Sequence, residues 1–172
     1  MVSTDKYDRQ VRLWGPHGQR ALGESRILLF GTSSAGTETL KNLVLPGAGH
    51  FHIVDDRVID KSDCGNDFFV TYEHIGQSKA KVTCELLGEL NPDDSQGSFS
   101  NMSIEDYVAN HADDIQKANM VIVCDVNETL AKKISQLVGP KNIPMILLRQ
   151  YGMLGYMRSF KAESFLVEVK EA

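Results

Sequence analysis

The segment Gly31-Thr32-Ser33-Ser34-Ala35-Gly36 follows a run of apolar residues and precedes a helical pattern. That is where nucleotide-binding α/β domains carry G-x-G-x-x-G. In such a loop the first glycine makes a tight turn, the second lets backbone approach a phosphate, and the third lets helix pack on strand. Gly31 and Gly36 keep the two positions that give shape. Ser33 stands where phosphate approaches, and its side chain is expected to intrude on that space. Asp55, at the end of the next apolar run, lies at about the separation from the loop, roughly twenty residues, of an acid that holds ribose hydroxyls. Taken alone, these residues leave three readings open: a nucleotide fold used as scaffold, a cofactor-binding oxidoreductase, or an unrelated α/β fold.

Other reactive side chains are scattered. Cys64, Cys84 and Cys124 are odd in number and form no C-x-x-C pair, which disfavours disulfides and zinc and fits a reducing compartment. Cys84 falls in a helical run and reads as core or near-core. His50 and His52 flank Phe51, so one face of that strand is expected to be partly polar, and no metal site is expected. Among 172 residues, 42% are hydrophobic and 24% charged, the balance of an ordinary globular domain. The net charge of −5, with no basic run, argues against a surface that tracks nucleic-acid phosphates. The apolar stretches Met120–Cys124 and 144–148 are too short to span a bilayer, and residues 1–15 lack the apolar stretch of a secretory signal. A soluble intracellular domain with neither nucleic-acid nor membrane partners is expected.

The elements that must position these groups can be read along the chain. Tyr7, Val11 and Trp14 recur at i, i+4 and i+7, so a short helix can bury all three on one stripe. Arg9, two residues after Tyr7, points away from that stripe. Gly15-Pro16 interrupts the pattern, and a second short helix is expected over 17–22. Arg26–Phe30 is a continuous apolar run, as in a parallel strand buried on both faces. Leu40, Leu43 and Val44 give the next helix, and residues 51–54 the next strand, completing a βαβ unit. Ser78 is placed to cap a helix over Lys79–Leu90 whose Val82, Leu86, Leu87 and Leu90 share a face. A strand is expected over Gln96–Ser100, irregular chain with one short helix over 101–118, a strand over Met120–Cys124, a helix over Glu128–Val138 and a strand over 144–148. Gly152, Gly155 and the alternating Met153, Tyr156 and Phe160 suggest hairpin-like extended chain beyond. The alternation predicts a Rossmann-like, doubly wound, mostly parallel sheet with helices on both faces. As a single domain over 1–172 it divides into N-terminal helices (1–25), an α/β core (26–150) and a C-terminal extended segment (151–172).

Four segments carry a narrower resemblance: Lys6-Tyr-Asp-Arg-Gln-Val-Arg-Leu-Trp-Gly15, Leu40-Lys-Asn-Leu-Val-Leu-Pro-Gly47, Gly65-Asn-Asp-Phe-Phe69 with Ile75-Gly76, and Tyr151-Gly-Met-Leu-Gly-Tyr-Met-Arg158. In order and spacing they resemble the adenylation-type domain of ubiquitin-like-protein activating enzymes, and within that family the regulatory, non-catalytic subunit of the heterodimeric neddylation-activating enzyme. The resemblance runs from Lys6 to about Phe160. It implies two paired, related domains, of which one keeps an ATP site. The active partner joins ATP to the C-terminal carboxylate of a ubiquitin-like protein and passes the acyl group to its own cysteine.

Compared with active members, this chain has losses. A second acid is replaced by Arg57, and an Asn-Arg-Gln triplet by Gly65-Asn66-Asp67. Asn66 stands for a phosphate-facing arginine, and Asp67 is expected to repel phosphate. Lys79 matches a phosphate-contacting lysine. The magnesium aspartate's position is Val126, before Asn127, with Asp125 one residue off. The resemblance therefore implies the pseudo-half of the dimer, with no cofactor or metal of its own and ATP and magnesium in the catalytic subunit. Arg9 resembles the arginine such subunits send across the interface to the partner's ATP phosphates, with Arg12 the lesser candidate. No cysteine here matches the thioester position. The expected partners are the catalytic subunit and, through the complex, the ubiquitin-like protein, in cytoplasm and nucleus. A self-sufficient adenylating enzyme with a degenerate loop, supported by Lys79, Asp55, Gly31 and Gly36, remains an alternative, as does a scaffold for another partner. Known regulatory subunits continue well beyond Arg158, so a fragment or short form of a longer chain is expected, and 164–172 carries no family wording.

Overall fold

A computed structural model describes residues 6–161 of the chain. The parts of the expected segments 1–25 and 151–172 that fall on 1–5 and 162–172 lie outside the described residues. Helix α1 (Asp8–Gly23) is two helical pieces joined at Gly15, whose φ of 76° and ψ of 168° are not helical. Gly15-Pro16 thus interrupts the helix as its residue types require: a positive φ suits glycine, and proline opens the second piece without needing an N–H partner. Strand β1 (Arg26–Phe30), helix α2 (Ser34–Val44) and strand β2 (His50–Val54) form the first βαβ unit. A long loop containing one 3₁₀ turn leads to α3 (Lys79–Leu90), β3 (Gln96–Ser100), α4 (Ile104–Asn110) and α5 (Ala112–Ile115). Then come β4 (Met120–Cys124), α6 (Glu128–Val138), β5 (Met145–Tyr151) and β6 (Leu154–Phe160).

The six strands are ordered β3-β2-β1-β4-β5-β6, with β6 alone antiparallel. The chain winds outward from β1 in one direction, then returns to β4 on its other side. The carboxyl ends of β1 and β4 therefore flank the switch point where such folds place ligands. β1 is buried on both faces, as its unbroken apolar run requires. Leu28 and Phe30 join Tyr107, Leu130 and Ile134 on the α4–α6 side, while Ile27 and Leu29 join Leu40, Val44 and Leu87 on the α2–α3 side.

Three local expectations are corrected. Of the stripe Tyr7–Val11–Trp14, only Tyr7 is buried; Val11 is half-buried and Trp14 is 42% exposed. Tyr7 precedes the helix and is drawn inward by hydrogen bonds, donating to Asp94 Oδ2 (2.7 Å) and accepting from Asn91 Nδ2 (3.0 Å). Trp14 sits at the kink, where its indole N–H reaches only Gln19 Oε1 (3.1 Å). Leu90 does not join Val82 and Leu87 in the core, because it ends α3 beside solvent. Residues 101–118 hold two helices rather than one. Ser103 caps the first, its hydroxyl accepting from the Asp106 N–H (3.1 Å), and His111 separates the two.

Candidate functional site

At the switch point, a crevice of about 390 Å³ opens between the loop after β1, the end of β2 and the end of β4. Gly31 starts the loop with φ +84°, and a Cβ there would lie 2.9 Å from the Cys124 carbonyl oxygen. A Cβ on Gly36 would meet Cys124 Sγ at 2.6 Å and the Gly31 carbonyl oxygen at 3.1 Å. Both glycines are thus required for shape, as the motif anticipates. Ser33 has become the N-cap of α2, and its Oγ accepts from the Gly36 N–H at 3.3 Å. That N–H is one of the unsatisfied donors a helix start offers to an anion. The serine thus does more than occupy space: it supplies its own acceptor where a phosphate oxygen would bind.

Asp55, 2% exposed, directly follows β2 and is enclosed by donors. The Thr32 N–H and hydroxyl donate to Oδ2 at 2.7 and 2.6 Å, and the Arg57 guanidinium Nη2 donates to the same oxygen at 2.7 Å. The Arg57 backbone N–H and Nε reach Oδ1 at 2.9 and 3.0 Å. Burial works against the carboxylate's charge, but Arg57 and Thr32 outweigh it and hold the group at about 2. The hydrogen bond to Asp55 likewise raises Arg57 above its ordinary value, against desolvation. Asp56, Glu105 and Asp125 also line the crevice, so Arg57 is the single cation among four carboxylates, and it is committed to one of them.

The phosphate-matching Lys79 is 3% exposed and does not line this crevice. Its Nζ lies 2.5 Å from Asp63 Oδ1 and 3.8 Å from Asp67 Oδ2. Asp67 therefore faces the lysine in the interior rather than a phosphate in the crevice. Burial pushes its carboxyl up, against the N–H of Phe69. Asn66 is exposed and donates to the Ser62 carbonyl (3.1 Å). Val126 is buried, and its carbonyl accepts from Arg149 Nη2 (2.6 Å); Asn127 caps α6 through the Leu130 N–H (2.8 Å). Asp125 does not continue β4. It turns with φ +55°, into the left-handed region that non-glycine residues seldom enter.

Among the described residues, no group of three or more His, Cys, Asp or Glu could hold a metal ion, and no helix is long and apolar enough to cross a membrane. Cys84 and Cys124 are buried, and burial pushes their thiols up to about 11 and about 12. A buried neutral thiol is a poor nucleophile. Cys64 is half-buried, its Sγ 3.7 Å from the Asp60 carbonyl oxygen. Arg9 lies on the exposed side of α1, apart from the crevice, with no acidic partner among the described residues. Arg12 is tied to Asp8 at 2.8 Å. Of the functional residues, sequence reasoning missed Asp63 altogether and missed that Arg57 closes on Asp55. The latter pairing had a readable signal in the Asp-x-Arg spacing at a strand end.

Comparison with known proteins narrows the fold to a family. The crystal structure of PaaA superposes with a TM-score of 0.74 over 84% of this chain and 50% of that one, at 18% identity, and so shares the fold. The NEDD8-activating enzyme E1 regulatory subunit of Gallus gallus is 43% identical over 97% of this chain and 31% of its own length. The protein of that name from Drosophila melanogaster is 38% identical over 95% and 31%. The NEDD8-activating enzyme E1 regulatory subunit AXR1 of Arabidopsis thaliana is 35% identical over 96% and 30%. The chain thus spans about a third of the length of the curated relatives it matches. The ThiF family model matches residues 7–167, nearly the whole chain, and with the six-stranded sheet and the glycine loop already described, the chain belongs to the ThiF family.

Proposed function

We propose that this ThiF domain is the non-catalytic, regulatory half of a ubiquitin-like-protein activating enzyme of the neddylation type. In this reading it binds no ATP of its own and is not an enzyme alone. It pairs with a catalytic subunit in cytoplasm and nucleus, meets the ubiquitin-like protein through that complex, and lends Arg9 to the partner's ATP site. The observation that carries the proposal is the charge arrangement of the crevice. A triphosphate needs cations and open N–H donors around it. Here four carboxylates face one guanidinium bound to Asp55, and Ser33 occupies the helix-start donor. Lys79, the residue that favoured a self-sufficient enzyme, is held by Asp63 in the interior. The similarity to regulatory subunits supports the choice of pathway.

The test is calorimetry with ATP and Mg²⁺, on the chain alone and mixed with a neddylation catalytic subunit. No saturable binding is expected for the chain alone, and one ATP site for the pair, on the partner. A dissociation constant in the low micromolar range for the isolated chain, about −8 kcal/mol, would overturn the proposal.

A further inference from the structure

The ribose position of the crevice is filled from within. An ionised carboxylate has about four lone-pair sites for donors. On Asp55, Thr32 donates twice to Oδ2, through its N–H and hydroxyl, and Arg57 donates its backbone N–H to Oδ1, Nη2 to Oδ2 and Nε to both, so that five donors share about four sites. A ribose is held at such an acid by donating its hydroxyls to it, and here no acceptor site remains. The two sets of donors differ in how easily they could leave. Thr32 is completely buried, whereas the Arg57 side chain is 50% exposed at the crevice mouth. Ile104, Val126 and Leu130 line the same crevice beside its charged groups, and the volume of about 390 Å³ is that of a small-ligand pocket.

We infer that Arg57 is the residue that excludes ribonucleosides from this crevice, binding Asp55 where a ribose would dock while the crevice keeps the volume of a small-ligand pocket. The inference rests on the reading that the chain binds no nucleotide of its own, and assigns the exclusion of the ribose, as distinct from the phosphates, to one side chain. The remaining carboxylates repel a triphosphate whatever residue stands at position 57, so the informative ligand is the uncharged nucleoside.

The test titrates adenosine, with 2′-deoxyadenosine as control, into the full chain and into Arg57→Asn, followed by NMR shifts of the Thr32 and Asp55 amides. Asparagine is too short to span the carboxylate yet remains polar. The wild type should show no saturable shift. Arg57→Asn should bind adenosine at least about tenfold more tightly than the wild type, and at least about tenfold more tightly than the deoxy control, because the ribose hydroxyl is the group recognised. Saturable binding by the wild type itself would overturn both this inference and the reading that the chain binds no nucleotide of its own. A folded Arg57→Asn that binds no better, or that fails to distinguish the deoxy control, would overturn this inference and leave the proposed function standing. Arg57→Gln serves if the first variant does not fold. Should neither fold, the pair is a requirement of folding rather than a plug, and the inference fails.

Discussion

Lys79 Nζ and Asp63 Oδ1 lie 2.5 Å apart, joining the start of α3 to a loop residue sixteen positions earlier. Asp67, whose side chain is wholly buried, faces the same ammonium at 3.8 Å, so the lysine carries two carboxylates in a region that water hardly reaches. The loop between β2 and α3 has little regular structure to hold it, and this ion cluster fastens it to the helix. A lysine so placed is structural, whatever its counterpart does in active members.

Replacing Lys79 by Met should therefore destabilise the domain by about 3–5 kcal/mol, because it strands buried carboxylate charge. Adding Asp67→Asn should recover part of that loss, since the most buried of the stranded charges is then removed. Urea denaturation of the single and double variants measures both. A loss within about 0.5 kcal/mol, the range of an ordinary surface change, would mean that the lysine is not engaged internally and is available to a ligand.

The arrangement of strands and of most helices was legible in the sequence, because it depends on local patterns. The unbroken apolar run of β1 announced burial on both faces, and Ser78 caps α3 as its position suggests, accepting from the Lys81 N–H (3.3 Å). Of the two helices in 101–118, the first carries the capping signal Ser103-x-x-Asp106, whereas the second, Ala112–Ile115, is a single turn that no side chain caps, so the sequence does not announce it. The exposure of Trp14 was not legible, since periodicity tells which side chains share a face but not whether the rest of the domain covers it. The same limit applies to the site. Gly31, Gly36 and Asp55 follow from position in a βαβ unit, whereas the Asp63–Lys79 pair depends on the path of an aperiodic loop.

Acid should unfold the domain partly through Asp55. Its folded value of about 2 lies below the ordinary 3.8, so the stabilisation it contributes is complete above the ordinary value and is lost as pH falls toward 2. The amount is about 2 kcal/mol. Asp67 works in the opposite direction: its folded value is raised, so its protonation on acidification favours the folded state and offsets part of the loss. Asp55→Asn lacks the titrating group and should be less stable at neutral pH, but should lose less on going to acid. Unfolding free energies compared between about pH 6 and about pH 3 decide it; identical acid sensitivity of the two proteins would rule Asp55 out as the source.

Thiol reactivity should follow burial. Cys64, half-buried on the loop, should be alkylated in the folded protein, while Cys84 and Cys124 should react only as the domain opens. In an assembled activating enzyme, Cys64→Ser should leave acyl transfer unchanged. A thioester-linked ubiquitin-like protein on any of the three would contradict the non-catalytic reading. Cys124→Ser should cost stability, because Sγ packs beneath the glycine loop against Gly36.

The proposed function assigns Arg9 to the partner's ATP site. It is exposed on the first piece of α1, and the domain gives it no acidic partner among the described residues, whereas Arg12 is paired with Asp8. Arg9→Ala should accordingly change the stability of the chain by no more than about 0.5 kcal/mol. If the guanidinium reaches ATP phosphates in the catalytic subunit, its removal leaves developing negative charge unbalanced. A preorganised donor of that kind is worth about 2.7–4 kcal/mol where water is excluded, so adenylate formation should slow by roughly a hundredfold or more. Arg9→Lys should restore only part of the rate, because an ammonium cannot reproduce the planar fork. Arg12→Ala should have the smaller effect. Heterodimer formation, measured by sedimentation, should persist in all three variants, which separates a lost charge from a lost interface. Normal pairing together with wild-type adenylation by Arg9→Ala would reduce the first piece of α1 to a packing element and end the in-trans role.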